Sequence, residues 1–272
     1  MELPNRDLTV AIAGMGTIGA SVARALDRGI EGLRLVAIAA RNTQRVQSMT
    51  TDFTTVPDIV SLPQLAQADI VVEATPASIF DQVAEPAIAA GRILVTCSAG
   101  ALLPRLALIE AARETGARII VPTGALMGLD AVRALAEGQI SEISIETRKP
   151  PNGLAGAPYL VANGIEVKDI SEALLVFEGN ALDAAVAFPS NINVAAALAL
   201  AGTGAEHTMV RIWADPYILR NIHIVNVLSD AARLTMTIEN VPSEENPRTS
   251  KLSSLSVIAC LRGICSPLKV GS

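Results

Sequence analysis

Three glycines near the start of the sequence have a spacing that exposes backbone N–H groups to a ligand. Gly14, Gly16 and Gly19 stand in the run 14–19, Gly-Met-Gly-Thr-Ile-Gly, between an apolar segment and a helix-like segment. In such a run the first glycine permits a tight turn, the second lets the backbone approach a pyrophosphate, and the third lets the helix pack close to the strand. The helix N-terminus, beside Thr17 and Ile18, offers free N–H groups to the phosphates. The run therefore predicts dinucleotide binding, with an ordinary glycine turn as the alternative.

The end of the next apolar segment bears on which dinucleotide is bound. A chain selective for NAD usually carries Asp or Glu about 20 residues beyond the glycines, hydrogen-bonded to the ribose 2′-hydroxyl. Here the segment ends in Ala-Ala-Arg-Asn at 39–42, without a carboxylate. Arg41 can pair with a 2′-phosphate and Asn42 can hydrogen-bond to it, which favours NADP, or use of both NADP and NAD. The alternative is that Arg41 is a solvated loop cation.

The two histidines, His207 and His223, are the candidates for proton transfer, because imidazole titrates near neutral pH. His223 stands beside a strand-like segment, after the turn-like Asp215-Pro216. His207 stands in a loop between a helix-like and a strand-like segment. From these residues alone, either one can equally be a structural histidine with satisfied hydrogen bonds.

Asn191 and Asn193 stand where a helix-like segment begins, in the run 188–193, Phe-Pro-Ser-Asn-Ile-Asn. One of them is explained by helix capping. Two asparagines and a serine exceed what one cap needs, and a side-chain amide suits the nicotinamide carboxamide or a substrate. Both are therefore candidate binding residues.

Two basic segments are suited to binding a carboxylate. The pair 148–149, Arg-Lys, precedes two prolines and forms either a carboxylate clamp or a solvated turn. The run 246–251, Asn-Pro-Arg-Thr-Ser-Lys, forms either a capped helix start or a site of cations and hydroxyls for a substrate. The candidate residues are Arg148, Lys149, Thr249, Ser250 and Lys251.

The elements that must position these residues begin with alternating strand and helix patterns over 8–122. This alternation predicts a parallel, doubly wound sheet of the Rossmann type, which binds ligands outside the carboxyl ends of its strands. The loops 14–19, 75–78, 97–100 and 122–128 are then expected to line one crevice. The predicted strands are 8–13, 33–39, 69–74, 92–96 and 117–121, and the predicted helices are 20–28, 79–91 and 103–115. These loops add Ala74, Thr75, Ser98 and Ala99 to the expected cofactor site.

The pattern changes after about residue 125. Residues 140–148 alternate between apolar and polar, as a half-buried strand does. We expect a second, α+β domain over 125–245 with a mostly antiparallel sheet. A first domain over 1–124 is expected to be joined by a C-terminal helix within 246–272. The further predicted strands are 174–177, 208–214, 222–227 and 234–238, and the further predicted helices are 191–202 and 250–263.

Composition narrows the class of protein. Half of the 272 residues are hydrophobic and 3% are aromatic, which favours a large aliphatic core. The net charge is −6 with scattered cations, so we expect no nucleic-acid partner. No apolar stretch reaches the ~18 residues of a membrane span, and residues 1–7 do not resemble a signal peptide, so we expect no membrane partner. Three cysteines without ligand spacing predict a cytoplasmic protein and no metal site.

Segments spread in order over nearly the whole chain resemble the NAD(P)-dependent L-aspartate dehydrogenase family. The runs 188–195 and 240–250, the second of which contains Asn-Pro-Arg-Thr-Ser, are far more specific than the glycine run. The other matching segments are 14–19, 123–130, 147–151, 214–216 and 220–223.

The resemblance implies roles for single residues. It assigns the catalytic histidine to His223, which follows Arg-Asn-Ile, rather than to His207. It implies that Asn193 contacts the nicotinamide and that a further cofactor contact falls near Met127. A smaller residue is usual at that position in the family, so Met127 is expected to narrow the crevice and to change the substrate range.

The activity that the resemblance implies is reversible oxidative deamination of L-aspartate. The Cα hydride passes to the nicotinamide, and the iminosuccinate formed is hydrolysed to oxaloacetate and ammonia or passed on to NAD biosynthesis. The basic candidates above, together with Asn191, would then bind a small dicarboxylate. The alternatives are a dehydrogenase or reductase for another small amino, imino or keto acid, and a non-catalytic NADP-binding redox sensor.

The later predicted strands carry apolar residues at positions of both parities, which predicts an apolar face on each side of the second sheet. Large exposed apolar patches usually mark interfaces, so we expect a two-fold homodimer through the outer sheet face, as the resemblance also implies. The alternative is a monomer in which the loop 149–164 covers that face. The residues concerned are Met209, Ile212, Trp213, Ile222, Ile224 and Val225.

Overall fold

The computed structural model describes residues 6–189, 192–246 and 249–271. The chain divides into two compact units. Unit 1 comprises Met1–Pro122 and Ser253–Lys269, and unit 2 comprises Thr123–Leu252 and Val270–Ser272. Among the described helices, none combines the length and hydropathy that crossing a bilayer requires.

Unit 1 contains a six-stranded, wholly parallel sheet, which confirms the predicted doubly wound fold. The strand order is β3-β2-β1-β4-β5-β6, so the direction of winding reverses between β1 and β4. In open parallel sheets the crevice at this reversal is where ligands bind. The strands are Leu8–Ala13 (β1), Leu33–Ala39 (β2), Asp58–Ile59 (β3), Ile70–Glu73 (β4), Ile93–Thr96 (β5) and Arg118–Ile120 (β6).

The helices of unit 1 differ from the predicted ones at two places. The helix predicted over 103–115 begins later because the chain turns at Pro104, and a short helix precedes it. The segment Thr43–Thr50 is helical although the sequence analysis assigned no element there. The helices are Thr17–Asp27 (α1), Thr43–Thr50 (α2), Asp81–Ala89 (α3), Ala99–Leu102 (α4) and Ala107–Thr115 (α5).

The core of unit 1 is aliphatic, as the low aromatic content predicts. Val10, Ile12, Val72 and Val95 are completely buried, because both faces of a parallel sheet are covered. The last helix of the chain, Lys251–Cys265, contributes Val257 and Leu261 to this core. We number this helix α10, because the helices of unit 2 precede it in the chain.

Unit 2 contains a five-stranded sheet in the order β11-β10-β7-β9-β8. The β7–β9 pair is parallel and the other three pairs are antiparallel, which confirms a mostly antiparallel sheet. The strands are Ile140–Lys149 (β7), Leu174–Asn180 (β8), Thr208–Ala214 (β9), Ile222–Ser229 (β10) and Arg233–Glu239 (β11). The helices are Leu129–Ala136 (α6), Pro158–Ala162 (α7), Ala181–Ala187 (α8) and Asn193–Ala201 (α9).

The two faces of this second sheet have different environments. Helix α9 packs on one of them, which we call the inner face: a Cβ added at Gly202, just after α9, would lie 2.5 Å from Ile143 Cδ1 on β7. Ile212 and Val225 are buried on the inner face. The remaining residues on which the dimer prediction rested lie on the outer face, namely Met209, Trp213, Ile222 and Ile224.

The segment after β7 follows the inner side of the second sheet. Tyr159 on α7 lies 5.4 Å from the ring of Phe177 and 5.6 Å from that of Phe188. Phe177 pairs in register with the inner-face residue Ile212. Helix α7, within the segment 149–164, therefore packs on the inner side of the sheet through Tyr159.

Candidate functional site

The glycine turn of unit 1 is closely packed at two positions and open at the third. A Cβ at Gly14, where φ is +92°, would lie 2.3 Å from the carbonyl oxygen of Ala74, and a Cβ at Gly19 would lie 1.9 Å from that of Gly14. A Cβ at Gly16 would meet no atom within 4 Å. Gly14 and Gly19 are thus required by the packing of the chain, whereas Gly16 leaves space for a ligand to approach the backbone.

Helix α1 begins at the open side of this turn. Gly16 is its N-cap, and the Ala20 N–H donates to the Gly16 carbonyl at 2.9 Å to form the first intrahelical bond. The N–H groups of Thr17, Ile18 and Gly19 precede this bond, so the helix itself provides them with no acceptor. The first turn contains no acidic residue. An anion such as a pyrophosphate therefore fits this helix N-terminus.

The loop after β2 carries Arg41 and Asn42, both exposed. Asn42 Oδ1 accepts a hydrogen bond from the Arg45 N–H at 2.9 Å and caps α2. Its side-chain oxygen thus has a structural role at the helix start. Arg41 remains the candidate for a 2′-phosphate contact.

The loops after β4 and β5 meet at a carboxylate that the sequence analysis did not single out. The predicted cofactor residues Ala74 and Thr75 directly follow β4, and Ser98 and Ala99 follow β5. The hydroxyls of Thr75 and Ser98 both donate to Glu73, which is completely buried at the end of β4. A carboxylate at a strand end gives no sequence signal of burial, since its partners on β5 are distant along the chain.

In unit 2, His223 lies on the inner face of the sheet with 3% of its surface exposed. Its Nδ1 is 2.9 Å from Thr147 Oγ1, on the neighbouring strand β7. Burial, together with the positive charge of Lys149, lowers the pKa of His223 to about 3. The imidazole is therefore neutral at physiological pH, with a lone pair on one of its ring nitrogens. His207, by contrast, is exposed in the turn before β9.

Lys149 shares the inner face with His223, because side chains alternate along a strand and Thr147 is the register partner of His223. It is 6% exposed, and burial lowers the pKa of its ammonium group to about 8. Near neutral pH it is a buried cation close to the candidate proton carrier. That combination suits the binding of a substrate carboxylate.

Arg148 does not join Lys149 in a clamp, and that part of the prediction is wrong. The strand pleat places Arg148 on the outer face, in register with Ile222. There its guanidinium donates to Glu146 Oε1 at 2.7 Å and to Asp215 Oδ2 at 3.0 Å. It also lies 5.0 Å from the centre of the Trp213 ring. Arg148 is therefore a structural cation of the outer face.

The candidate residues of the run 246–251 have structural partners at the start of α10. Ser250 Oγ accepts the Leu252 N–H at 3.0 Å and thus caps the helix. Lys251 Nζ donates to the exposed Glu244 at 2.7 Å. Thr249 Oγ1 accepts from Asn246 Nδ2 at 3.2 Å. Each of the three candidates thus has a partner within unit 2, which agrees with the capped-helix interpretation.

Asn240 links this helix start to the loop 123–128, a role that the sequence analysis missed. Its Nδ2 donates to the Ala125 carbonyl at 3.0 Å, and its Oδ1 accepts from Ser250 Oγ at 2.6 Å. Asn240 is 3% exposed. Met127, in the same loop, is 51% exposed. A buried amide thus fixes the loop that carries Met127.

Of the two asparagine candidates, Asn191 and Asn193, the structure describes only Asn193. Asn193 is the first residue of α9, and Ile192 occupies the N-cap position without a side-chain capping hydrogen bond. Asn191 lies outside the described residues. Asn193 stays a candidate for a cofactor contact.

Comparison with known proteins places both units in dehydrogenase families. Residues 130–264 match the family described as aspartate dehydrogenase, C-terminal, and residues 14–122 match the homoserine dehydrogenase NAD binding domain. The chain is 48% identical to L-aspartate dehydrogenase of Bradyrhizobium diazoefficiens, over 100% of this chain and 96% of that protein. It is 44% identical to L-aspartate dehydrogenase 3 of Bordetella bronchiseptica, over 98% of each. The crystal structure of aspartate dehydrogenase from Thermotoga maritima superposes with a TM-score of 0.75 at 26% identity, covering 98% of this chain and 100% of that one.

Proposed function

The chain belongs to the L-aspartate dehydrogenase family, and we propose that it catalyses the NAD(P)-dependent oxidative deamination of L-aspartate to iminosuccinate, which water converts to oxaloacetate and ammonia. The observation that carries this proposal is the 48% identity to an L-aspartate dehydrogenase over the whole chain. The position of His223 supports it, because a neutral imidazole held by Thr147 shares one sheet face with the buried cation Lys149.

The glycine turn and the start of α1 would hold the pyrophosphate of the dinucleotide. Gly16 leaves the space, and the N–H groups of Thr17 and Ile18 point from the helix N-terminus. When bound, NAD(P)⁺ supplies the acceptor for the hydride that leaves Cα of the substrate. Arg41, beyond β2 where no carboxylate stands, supports binding of NADP at least as tight as that of NAD.

His223 would take the proton that the substrate ammonium releases. The ammonium must lose one proton, because the nitrogen lone pair forms the C=N bond as the Cα–H bond breaks with both electrons. For Nε2 to accept this proton, Nδ1 must carry a hydrogen and donate it to Thr147 Oγ1, an arrangement that the 2.9 Å contact permits. After passing this proton to solvent, the imidazole would remove a proton from the water that adds to the imine and return it to the departing ammonia.

Lys149 would bind one of the two substrate carboxylates. It is the one basic candidate on the same sheet face as His223. A buried ammonium forms stronger charge-assisted hydrogen bonds with a carboxylate than a solvated one does. Asn191 remains a candidate for the second carboxylate, and so does Thr249, whose hydroxyl accepts one hydrogen bond and can still donate one. Arg148, Ser250 and Lys251 have the structural partners described above.

We further propose that the protein is a cytoplasmic homodimer whose product feeds NAD biosynthesis. The cytoplasmic location is supported by the low, odd number of cysteines. The dimer is supported by the apolar residues on the outer face of the second sheet, among them Met209, which is 39% exposed.

The direct experiment supplies the purified protein with NAD⁺ or NADP⁺ and a panel of L-aspartate, L-glutamate and L-alanine. Absorbance of reduced nicotinamide and release of ammonia are measured together. We expect both signals with L-aspartate, and activity with NADP⁺ at least equal to that with NAD⁺. Preference for another amino acid would indicate a different dehydrogenase, and reduction with none of them would favour a cofactor-binding sensor.

A further inference from the structure

Glu73, the last residue of β4, is a buried carboxylate surrounded by hydrogen-bond donors. Its Oε1 accepts from the Thr75 N–H at 2.7 Å, from Thr75 Oγ1 at 2.6 Å and from Ser98 Oγ at 3.1 Å. Its Oε2 accepts from Thr96 Oγ1 at 2.7 Å. The side chain is completely buried, and no described lysine, arginine or histidine forms an ion pair with it.

Burying a carboxylate without a cation is costly, and the cost falls only if donors replace the lost water. The four donors at Glu73 fill this role, and they come from two different loops. Thr75 belongs to the loop after β4, while Thr96 and Ser98 belong to the end of β5 and the loop after it. Glu73 thus connects the loop after β4 with the loop after β5. Without this carboxylate, the pairing of strands β4 and β5 would link the two loops.

Those two loops lie at the part of the sheet where a ligand is expected. Strand β4 is next to β1 at the point where the winding reverses. The loop after β4 also contacts the glycine turn: the Ala74 N–H donates to the Ala13 carbonyl at 2.9 Å, and a Cβ on Gly14 would lie 3.4 Å from Thr75 Cγ2. The contacts therefore run from Glu73 through Thr75 to the turn that would receive the pyrophosphate.

We propose that Glu73 is a positioning residue that holds the loops after β4 and β5 in the shape that receives the dinucleotide. The inference rests on the dinucleotide-binding part of the proposed function and not on the identity of the amino-acid substrate. It predicts that loss of the carboxylate lowers the fraction of molecules with a binding-competent site, which raises the apparent Kd in proportion.

Asp69 provides a matched control at the opposite end of the same strand. Its carboxylate also accepts a backbone N–H and a threonine hydroxyl, from Thr9 at 2.8 Å and 2.7 Å, but it lies just before β4 begins. Asp69 also forms an ion pair with the exposed Arg6. Replacing Asp69 thus removes at least as many hydrogen bonds next to the same strand, without touching the loops at its carboxyl end.

The experiment measures the Kd of NADPH by its fluorescence, without amino-acid substrate, for Glu73→Ala, Glu73→Gln and Asp69→Ala. Hydrogen exchange of the Thr75 and Ser98 amides is followed in the cofactor-free protein. For Glu73→Ala we expect a Kd raised about 10-fold or more, because a site populated about one-tenth of the time binds that much more weakly. Both amides should lose protection.

The other variants should behave differently. Glutamine has the shape of glutamate and keeps the acceptor at Oε1, so Glu73→Gln should restore the Kd to within about 3-fold of the parent protein. Asp69→Ala should lower the melting temperature but leave the Kd and both amides unchanged. If Glu73→Ala does not fold, Thr96→Val should raise the Kd in the same direction, because among the described residues Thr96 is the donor to Oε2. The Ser98 amide is not a readout for this variant, since Thr96 Oγ1 is also its acceptor.

Three results would overturn the proposal. The first is a Kd that neither Glu73→Ala nor Thr96→Val changes. The second is an equal loss of affinity in Asp69→Ala, which would mean a general effect of stability, and the third is a glutamine variant as weak as the alanine variant. Absence of NADPH binding in the parent protein would remove both this proposal and the cofactor part of the proposed function, whereas failure to oxidise aspartate would affect only the latter.

Discussion

The charge states of His223 and Lys149 follow chiefly from burial. Both side chains lie on the inner face of the second sheet, where removal from water disfavours their charged forms and lowers both pKa values. The two groups also repel each other when charged, which keeps the imidazole neutral while the lysine is protonated. One face of one sheet thus combines a proton acceptor with a cation.

This pairing predicts a pH dependence of substrate binding. Lys149 is protonated below its pKa of about 8 and loses its charge above it, so the KM for L-aspartate should rise as the pH passes from 7 to 9.5. Lys149→Met should raise KM roughly 10- to 100-fold at pH 7, as loss of a charge-assisted hydrogen bond of about 1.5–3 kcal/mol implies. It should also abolish the rise of KM with pH. Initial rates at several pH values measure both effects.

Arg148→Met is the matched control for this prediction. It removes the neighbouring cation, but on the outer face, so KM and its pH profile should stay as in the parent protein. A KM that is independent of pH in the parent protein, or an equal effect of both substitutions, would refute the assignment of Lys149.

Among the helices and strands, the sequence predicts strands well where apolar residues form a continuous run or alternate strictly with polar residues. The buried strands β1, β2 and β4 are of the first kind, and β7 is of the second. Helix α2 was missed because only Val46 and Thr50 of its eight residues are buried, which leaves too little apolar periodicity. A helix held by so small a face depends on its cap at Asn42, which the sequence shows only as a loop residue.

The sequence does not predict contacts between segments that are distant along the chain. Two donors to Glu73, Thr96 at the end of β5 and Ser98 in the loop after it, stand 23 and 25 residues away. No local pattern therefore reveals that this carboxylate is buried. The separation of Arg148 from Lys149 follows from strand alternation, which the sequence does contain. Which of the two shares a face with His223 depends on the β7–β10 register, and only the folded chain defines it.

At the scale of the whole molecule, the outer face of the second sheet determines the expected assembly. Ile222 and Ile224 on β10 and Met209 on β9 give it apolar surface, and ion pairs such as Arg211–Glu178 stand among them. A mixture of apolar and paired polar groups is typical of an interface between subunits.

We therefore expect a mass twice the 28.3 kDa of one chain by light scattering at micromolar concentration. Ile224→Glu should shift the equilibrium toward the monomer, because it places a second carboxylate directly opposite Glu146 in the apolar part of the interface. A parent protein with the mass of a single chain would rule out the dimer.

We propose that this dehydrogenase transfers protons through His223, and its second histidine, His207, provides a matched control for a direct test. Turnover of L-aspartate is compared for His223→Ala and His207→Ala, with NADPH binding and melting temperature measured to establish that each variant is folded. His223→Ala should lower kcat by roughly 10²–10⁴, the span expected for loss of a general acid–base, while its NADPH affinity stays that of the parent protein. His207→Ala, altered at an exposed turn, should retain nearly full activity. A His223→Ala enzyme with the kcat of the parent protein would contradict the account.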